Sequence, residues 1–243
     1  MRDELTGPGS SSSPLNCATI RAVDVRAIEV LGVPGLILME NAASGAADVI
    51  LAELAARPRD RRSRTVVVLC GAGNNGGDGF AIARHLATAG CESAIVLAAP
   101  AEKIGGDARV NYEIATRLGL LTIGGHEAGA IERVNELLLN ADVVVDALLG
   151  TGSRGAPTGT IAELVRAANS INGPLKVAID IPTGLNGDSG RIETPCFCAD
   201  LTITFVAEKI GFAAAGASRV LGRVVVVGLG VPLKNLLGDE KPA

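Results

Sequence analysis

Three glycine-rich stretches of this chain each follow an apolar run and each carry side chains able to do chemistry. The first is GAGNNGGDG, residues 71–79, with Asn74, Asn75 and Asp78. The second, ALLGTGSRGAPTG, follows Asp146, and the third, IPTGLNGDSG, follows Asp180 and contains Thr183. A carboxylate can give and take protons once burial brings its pKa toward the working pH. Amide, carboxylate and hydroxyl oxygens from Asn75, Asp146 and Thr183 are the donors that hard cations take, and so few carboxylates suit potassium as well as magnesium. Glycine allows positive φ and close backbone approach. A glycine-rich turn that opens a helix also presents free N–H groups to an anion. The first stretch therefore suggests a site for a phosphate-bearing ligand. The plainer reading of Asp146 and Asp180 is turn capping at strand ends. Two of them at equivalent positions, each before a Gly/Thr-rich loop, favour a shared site.

Gly71, Gly73 and Gly76 match the G-x-G-x-x-G spacing of dinucleotide-binding turns, a weak signal alone. That fingerprint wants an acidic residue at the end of the second strand, about 20 residues on. Here that end is Leu97-Ala98-Ala99-Pro100, which has none. Gly77 stands where a P-loop carries its lysine. A hydride-transfer dehydrogenase and a P-loop kinase are both disfavoured.

Elements of alternating type must position these loops. Apolar runs predict strands at 65–70, 93–98, 120–123, 142–146, 176–180, 201–206 and 223–228. Helical spacing predicts helices near 15–31, 36–56, 79–89, 106–118, 127–139 and 159–170. The alternation implies a single α/β domain with a mostly parallel central sheet and helices on both faces. Strands apolar on both faces agree with a sheet covered on both sides. Ligands of such sheets bind beyond the carboxyl ends of the strands, where all three loops fall. The domain is expected over 15–235, with a disordered leader at 1–14, a solvated basic connector at 56–64 and a frayed tail at 236–243. Glu40 and Asn41 are polar residues in an apolar helix and read equally as internal hydrogen-bonding groups or site residues. Asp78 reads as a helix cap or a site acid, and Lys209 as an exposed lysine rather than one steering phosphate.

Composition removes several function classes. Aromatic residues make up 2% of the chain, too few for base-stacking platforms. A net charge of −4 argues against nucleic acid and anionic membrane surfaces. No apolar run is judged long enough to span a membrane, and the polar start lacks the apolar core of a signal peptide. The five cysteines are odd in number and scattered, as in a reduced, cytoplasmic protein. Cys196 and Cys198 form a C-x-C with neither histidine nearby, a poor zinc set.

With these residues in view, the chain resembles the NAD(P)H-hydrate epimerase family, the YjeF N-terminal domain type, over residues 17–232. The resemblance runs in order through VRAIEVLGVPGLILMENAA, CGAGNNGGDGFAIARHL, VVVDALLGTGSRG, VAIDIPTGLNGDSG and ADLTITFVAEKIGF. Ala72 and Thr183 depart from the family's more usual Asn and Ser, and Thr183 keeps the hydroxyl. The resemblance implies a Rossmann-like three-layer α/β/α fold and a homodimeric isomerase that interconverts the R and S epimers of hydrated NADH and NADPH, repairing damaged cofactor for a separate S-specific dehydratase. The chain reads as the stand-alone form. Carried over residue by residue, Asn74, Asn75, Gly76, Gly77 and Asp78 contact the hydrated nucleotide. Gly150, Thr151, Gly152, Ser153, Arg154, Gly155 and Ala156 hold its phosphates, and Asp180 sits at the reacting ring. Asn75, Asp146 and Thr183 ligate one potassium ion per subunit. Asp180 is the expected acid/base and Asp78 the second choice. A non-catalytic nucleotide-binding or scaffold protein on the same fold is the alternative, and it would be expected to lack these acid/base and cation residues.

Overall fold

The computed structural model describes residues 13–57 and 63–237, so most of the expected leader, the middle of the basic connector and the end of the tail lie outside the described residues. Seven strands form one sheet: β1 (Thr65–Cys70), β2 (Glu92–Leu97), β3 (Leu121–Gly124), β4 (Val143–Ala147), β5 (Leu175–Ile179), β6 (Leu201–Phe205) and β7 (Arg223–Val227). Their order is β3-β2-β1-β4-β5-β6-β7 and every pairing is parallel. The order reverses between β1 and β4, which opens a crevice at their carboxyl ends.

The pleat of β1 explains why the sheet needs cover on both sides. Val66 and Val68 point into one core cluster, Val67 and Leu69 into the other, and all four are fully buried. The first face is covered by α1 (Cys17–Glu29), α2 (Gly35–Ala56), α3 (Asn74–Thr88) and α4 (Gly106–Arg117). The second is covered by α5 (Ala130–Asn140) and α6 (Gly159–Ser170). Two short helices, α7 (Ser218–Leu221) and α8 (Leu233–Leu237), flank β7 in the chain.

The predicted elements are present, with strand ends shifted by a residue, but α3 differs in a way that matters. It begins at Asn74, not at 79, so NNGGD is the first turn of a helix and not a loop. Gly76, Gly77 and Gly79 in the first two turns oppose helix formation by about 1 kcal/mol each relative to alanine. Packing explains why they are present. A Cβ on Gly76 would lie 1.9 Å from the carbonyl oxygen of Gly71, and one on Gly71 would lie 2.0 Å from that of Leu148. Most of the glycines in this segment therefore bring backbone against backbone and helix against helix, rather than backbone against ligand.

The 22-residue α2 is long and apolar enough to cross a membrane by length and composition alone, against the expectation that no segment is. Its Leu38, Ala42, Ala46, Ile50 and Leu54 are buried, as befits a core helix. Glu40 pairs with both Arg84 and His85 of α3, and Asn41 Nδ2 donates to the Leu229 carbonyl at 2.9 Å. Glu40 and Asn41 are thus structural ties.

Candidate active site

A cavity of about 640 Å³ opens where the sheet order reverses, between α1, α2, the start of α3 and the loop after β4. Asn74, Asn75, Asp78, Asp180 and the backbone of Gly150–Ser153 line it. Asn74 and Asn75 are the first residues of α3, with Gly73 as N-cap, so the free N–H groups of the 15-residue helix face the same space.

The ends of β5 and β6 are bent in the same unusual way. Asp180 and Val206, the residues just past them, have φ of 66° and 70°. In each case the following amide closes a three-residue turn: Ile181 N to Ile179 O and Ala207 N to Phe205 O, both 2.8 Å. Turns of this kind with a left-handed centre are rare and strained, and most so for a β-branched residue such as Val206. The strain falls on two neighbouring strand ends at the cavity wall, where it aims Asp180 inward.

Asp180 is held at both oxygens. Oδ1 lies 2.6 Å from Lys209 Nζ, and Oδ2 accepts from the Thr151 amide at 3.1 Å. Lys209, expected to be exposed, is fully buried, and its ammonium also donates to Thr204 Oγ1 at 2.6 Å and to the Phe205 carbonyl at 3.2 Å. The turn at Val206 brings the chain back so that a lysine four residues past β6 ends under Asp180. Such a buried cation is tolerable only because a carboxylate and two oxygens surround it.

Asp78 does not cap a helix, since it lies one turn inside α3 and is nearly inaccessible. Burial first, then the charges of Asp180 and Asp24, raise its pKa well above the ordinary carboxylate range. Asp24 of α1 lines the same cavity, and burial followed by the charge of Asp180 pushes its carboxyl up to about 6, with Lys209 opposing.

Asp146 and Thr183 meet behind the cavity. The Thr183 amide and hydroxyl each donate to Asp146 at 2.8 Å, and the Leu148 amide donates at 3.1 Å. Asp146 is fully buried; desolvation raises its pKa to about 6, while these hydrogen bonds hold it back. Asn75 is the odd member, because neither its amide oxygen nor its amide nitrogen has a hydrogen-bond partner although both are buried. A group left so costs on the order of 1–3 kcal/mol unless something outside the chain satisfies it. Gly150 connects the two parts: a Cβ there would sit 3.1 Å from Asp180 Oδ2 and 3.3 Å from Asn75 Cβ. Among the described residues no cluster of three or more His, Cys, Asp or Glu could hold a metal ion, so a transition-metal centre has no ligand set there.

A model of the YjeF-related protein N-terminus matches residues 35–211. The chain belongs to this family. It is 43% identical to an NAD(P)H-hydrate epimerase of Rhodopirellula baltica, over 97% of this chain and 92% of the relative. An NAD(P)H-hydrate epimerase of Pirellula staleyi is 41% identical over 87% and 90%. The bifunctional NAD(P)H-hydrate repair enzyme Nnr of Moorella thermoacetica is 38% identical, and there the match covers 83% of this chain and 37% of the relative. In structure the YjeF-type chain is similar to yeast YNL200c, with a TM-score of 0.75 over 94% of this chain and 95% of that one; at 21% identity this concerns the fold.

Against this YjeF-type framework the placement of the named residues is uneven. Asn74, Asn75, Asp78, Asp180 and Gly150–Ser153 share the cavity, while Asp146 and Thr183 touch each other behind it. Gly76 and Gly77 are buried against Gly71 and Met39, and Arg154, Gly155 and Ala156 are exposed beyond the cavity lining. Two charged residues escaped sequence reasoning, Lys209 in its buried role and Asp24 altogether. The signal for Asp24 was a carboxylate on the apolar Ile20–Val23–Ala27 side of α1.

Proposed function

We propose that this chain is an NAD(P)H-hydrate epimerase, an isomerase that interconverts the R and S epimers of hydrated NADH and NADPH at nicotinamide C6. The near end-to-end likeness to epimerases of that name supports it. The structural observation that carries it is a cavity in which an ion-paired Asp180 and the buried Asp78 lie beside the anion-favouring start of α3. The start of α3 and the Gly150–Ala156 loop take the phosphates of the nucleotide, and the hydrated ring lies against Asp180.

Inverting C6 requires the hydroxyl to leave and return on the other face, or the ring to open and close. The ring nitrogen lone pair drives either route, and the protein's task is to hold and move protons at C6. Asp180 is the acid/base and Lys209 the ion-pair partner that orients it; Asp78 is a second, proton-holding carboxyl on the α3 wall.

Asn75, Asp146 and Thr183 hold a potassium ion in this reading. The unpartnered, buried Asn75 amide is the observation that fits it, joined by a carboxylate and a hydroxyl in an all-oxygen set. When bound, the ion supplies positive charge that offsets the buried Asp146 carboxylate. The enzyme works as a homodimer and in the cytoplasm, where a separate S-specific dehydratase consumes its product; five free cysteines suit a reducing compartment. The test is Asp180→Asn. It strands the buried Lys209, so folding is verified by circular dichroism, and the folded variant approaches the epimer equilibrium more slowly by on the order of 10²-fold or more. A purified variant that epimerises hydrated NADH at the wild-type rate refutes the acid/base assignment.

A further inference from the structure

Asp24 is a carboxyl with no hydrogen bond or ion pair from any described residue, in the wall of a cavity lined by three other carboxyls, Asp78, Asp107 and Asp180. Its position is fixed rather than incidental. The Asn16 side chain caps α1 by accepting from the Thr19 amide at 2.7 Å, and the Cys17 amide donates to Asp188 at 2.6 Å. Just before the helix, Leu15 pairs in parallel with Lys209 through Leu15 N to Glu208 O at 2.8 Å and Ile210 N to Leu15 O at 3.0 Å. The segment that carries Asp180's buried partner therefore also clips down the start of α1. One turn along, Arg21 donates to the Thr151 carbonyl at 3.1 Å, and the Thr151 amide is the one that holds Asp180. Arg21 and Asp24 lie three residues apart, on one side of the helix. These ties place the Asp24 carboxyl on a different wall from Asp180, close enough for their charges to interact.

We propose that Asp24 is a second catalytic proton carrier of this site, delivering from the α1 wall the proton that complements Asp180 at the strand end. The inference rests on the epimerase reading above. An inversion by departure and return needs one group to protonate the leaving oxygen and one to deprotonate the incoming water on the other face. The C6–O bond breaks with its electron pair going to oxygen, which takes the proton of Asp24. The ring nitrogen lone pair forms the C6–N double bond. Water then adds to the opposite face of C6 as that double bond's pair returns to nitrogen, and the surplus proton passes to Asp180. After product leaves, Asp180 gives its proton to water and Asp24 takes one from water, which returns both groups to their starting state, and no water, proton or electron is consumed overall. Asp180 is fixed in place by Lys209 and Thr151 at the strand end, while Asp24 makes no such contact and can turn toward the leaving oxygen from the opposite wall. The charged groups that face Asp24 are Asp78 of α3, Asp180 and Lys209 at the sheet edge, Asp107 of α4 across the cavity, and Arg21 on its own helix.

The experiment compares wild type, Asp24→Asn and Asp24→Glu in epimerisation of hydrated NADH across pH, with circular dichroism to verify folding. We expect Asp24→Asn to lower kcat by on the order of 10²-fold with little change in KM. Wild-type kcat/KM should fall as pH rises through about 6 and beyond, that limb should vanish in Asp24→Asn, and Asp24→Glu should restore activity with the limb displaced. A folded Asp24→Asn that keeps kcat and the wild-type pH profile overturns the proposal, as does one that changes KM alone. If Asp24→Asn does not fold, a folded Asp24→Glu with an undisplaced limb overturns it equally. Wild-type protein that fails to epimerise at all refutes the epimerase reading instead, which separates the two failures.

Discussion

Replacing Lys209 with methionine tests the arrangement on which the site depends. The lysine is fully buried, its partner Asp180 has a side chain only 12% exposed, and the two are 2.6 Å apart. Methionine fills most of the stem's volume, so a cavity contributes little. The main loss is electrostatic: Asp180 keeps only the Thr151 amide, while Thr204 Oγ1 and the Phe205 carbonyl lose the ammonium they face. Removing one partner of a buried pair costs about 3–5 kcal/mol. In a chain of this size each kcal/mol lowers the melting temperature by about 2–4 °C, giving a drop of roughly 6–20 °C. Thermal unfolding followed by far-ultraviolet circular dichroism reads it, and the loss should persist in high salt because the pair is shielded from solvent. Adding Asp180→Asn to Lys209→Met removes the stranded charge, so the double variant should be more stable than Lys209→Met alone. A Lys209→Met protein as stable as wild type, or single effects that merely add, would refute the ion-pair account.

Three further outcomes follow from the same geometry. The Asp78 carboxyl is raised in the folded state, so its contribution to stability is fully present below the unfolded value of about 4 and is lost as pH rises toward the folded value. Asp78→Asn should therefore match wild type near pH 4 and gain on it by up to about 1.4 kcal/mol per pH unit above, as read by denaturant unfolding; a constant difference between the two proteins contradicts this. Gly76→Ala sets a methyl 1.9 Å from a backbone oxygen and should destabilise by about 1–3 kcal/mol or more, whereas Gly73→Ala, with nothing within 4 Å, should stay near neutral in the same denaturant series. If potassium binds as proposed, it should raise the melting temperature more than sodium at equal ionic strength and Asp146→Ala should abolish that rise; an unchanged potassium response in the variant contradicts the role proposed for Asp146.

Much of this architecture was legible in the chain because its signals are local. The apolar runs around Val66–Val68 and Val143–Val145 report strands buried on both faces, and a carboxylate ending such a run, as at Asp146 and Asp180, falls at the ligand edge of a parallel sheet by topology alone. The start of α3 was not legible, since three glycines speak against a helix until the contacts with Gly71 and Met39 are known. Lys209 was misread for a similar reason: only the left-handed turn at Val206 buries it, and no local pattern marks a valine at positive φ. Asp24 depends on ties to Lys209 and Thr151 that lie more than a hundred residues away. Sequence spacing finds groups that share an edge, and tertiary return paths decide which of them meet.

The most direct measurement gives the purified protein R-epimer hydrated NADH together with an S-specific NAD(P)H-hydrate dehydratase and its nucleotide co-substrate, and follows the near-ultraviolet absorbance of regenerated NADH. Rapid recovery is expected, scaling with the amount of this protein and failing with Asp180→Asn. Recovery no faster than spontaneous epimerisation, with a dehydratase shown to be active on the S epimer, would contradict the epimerase reading.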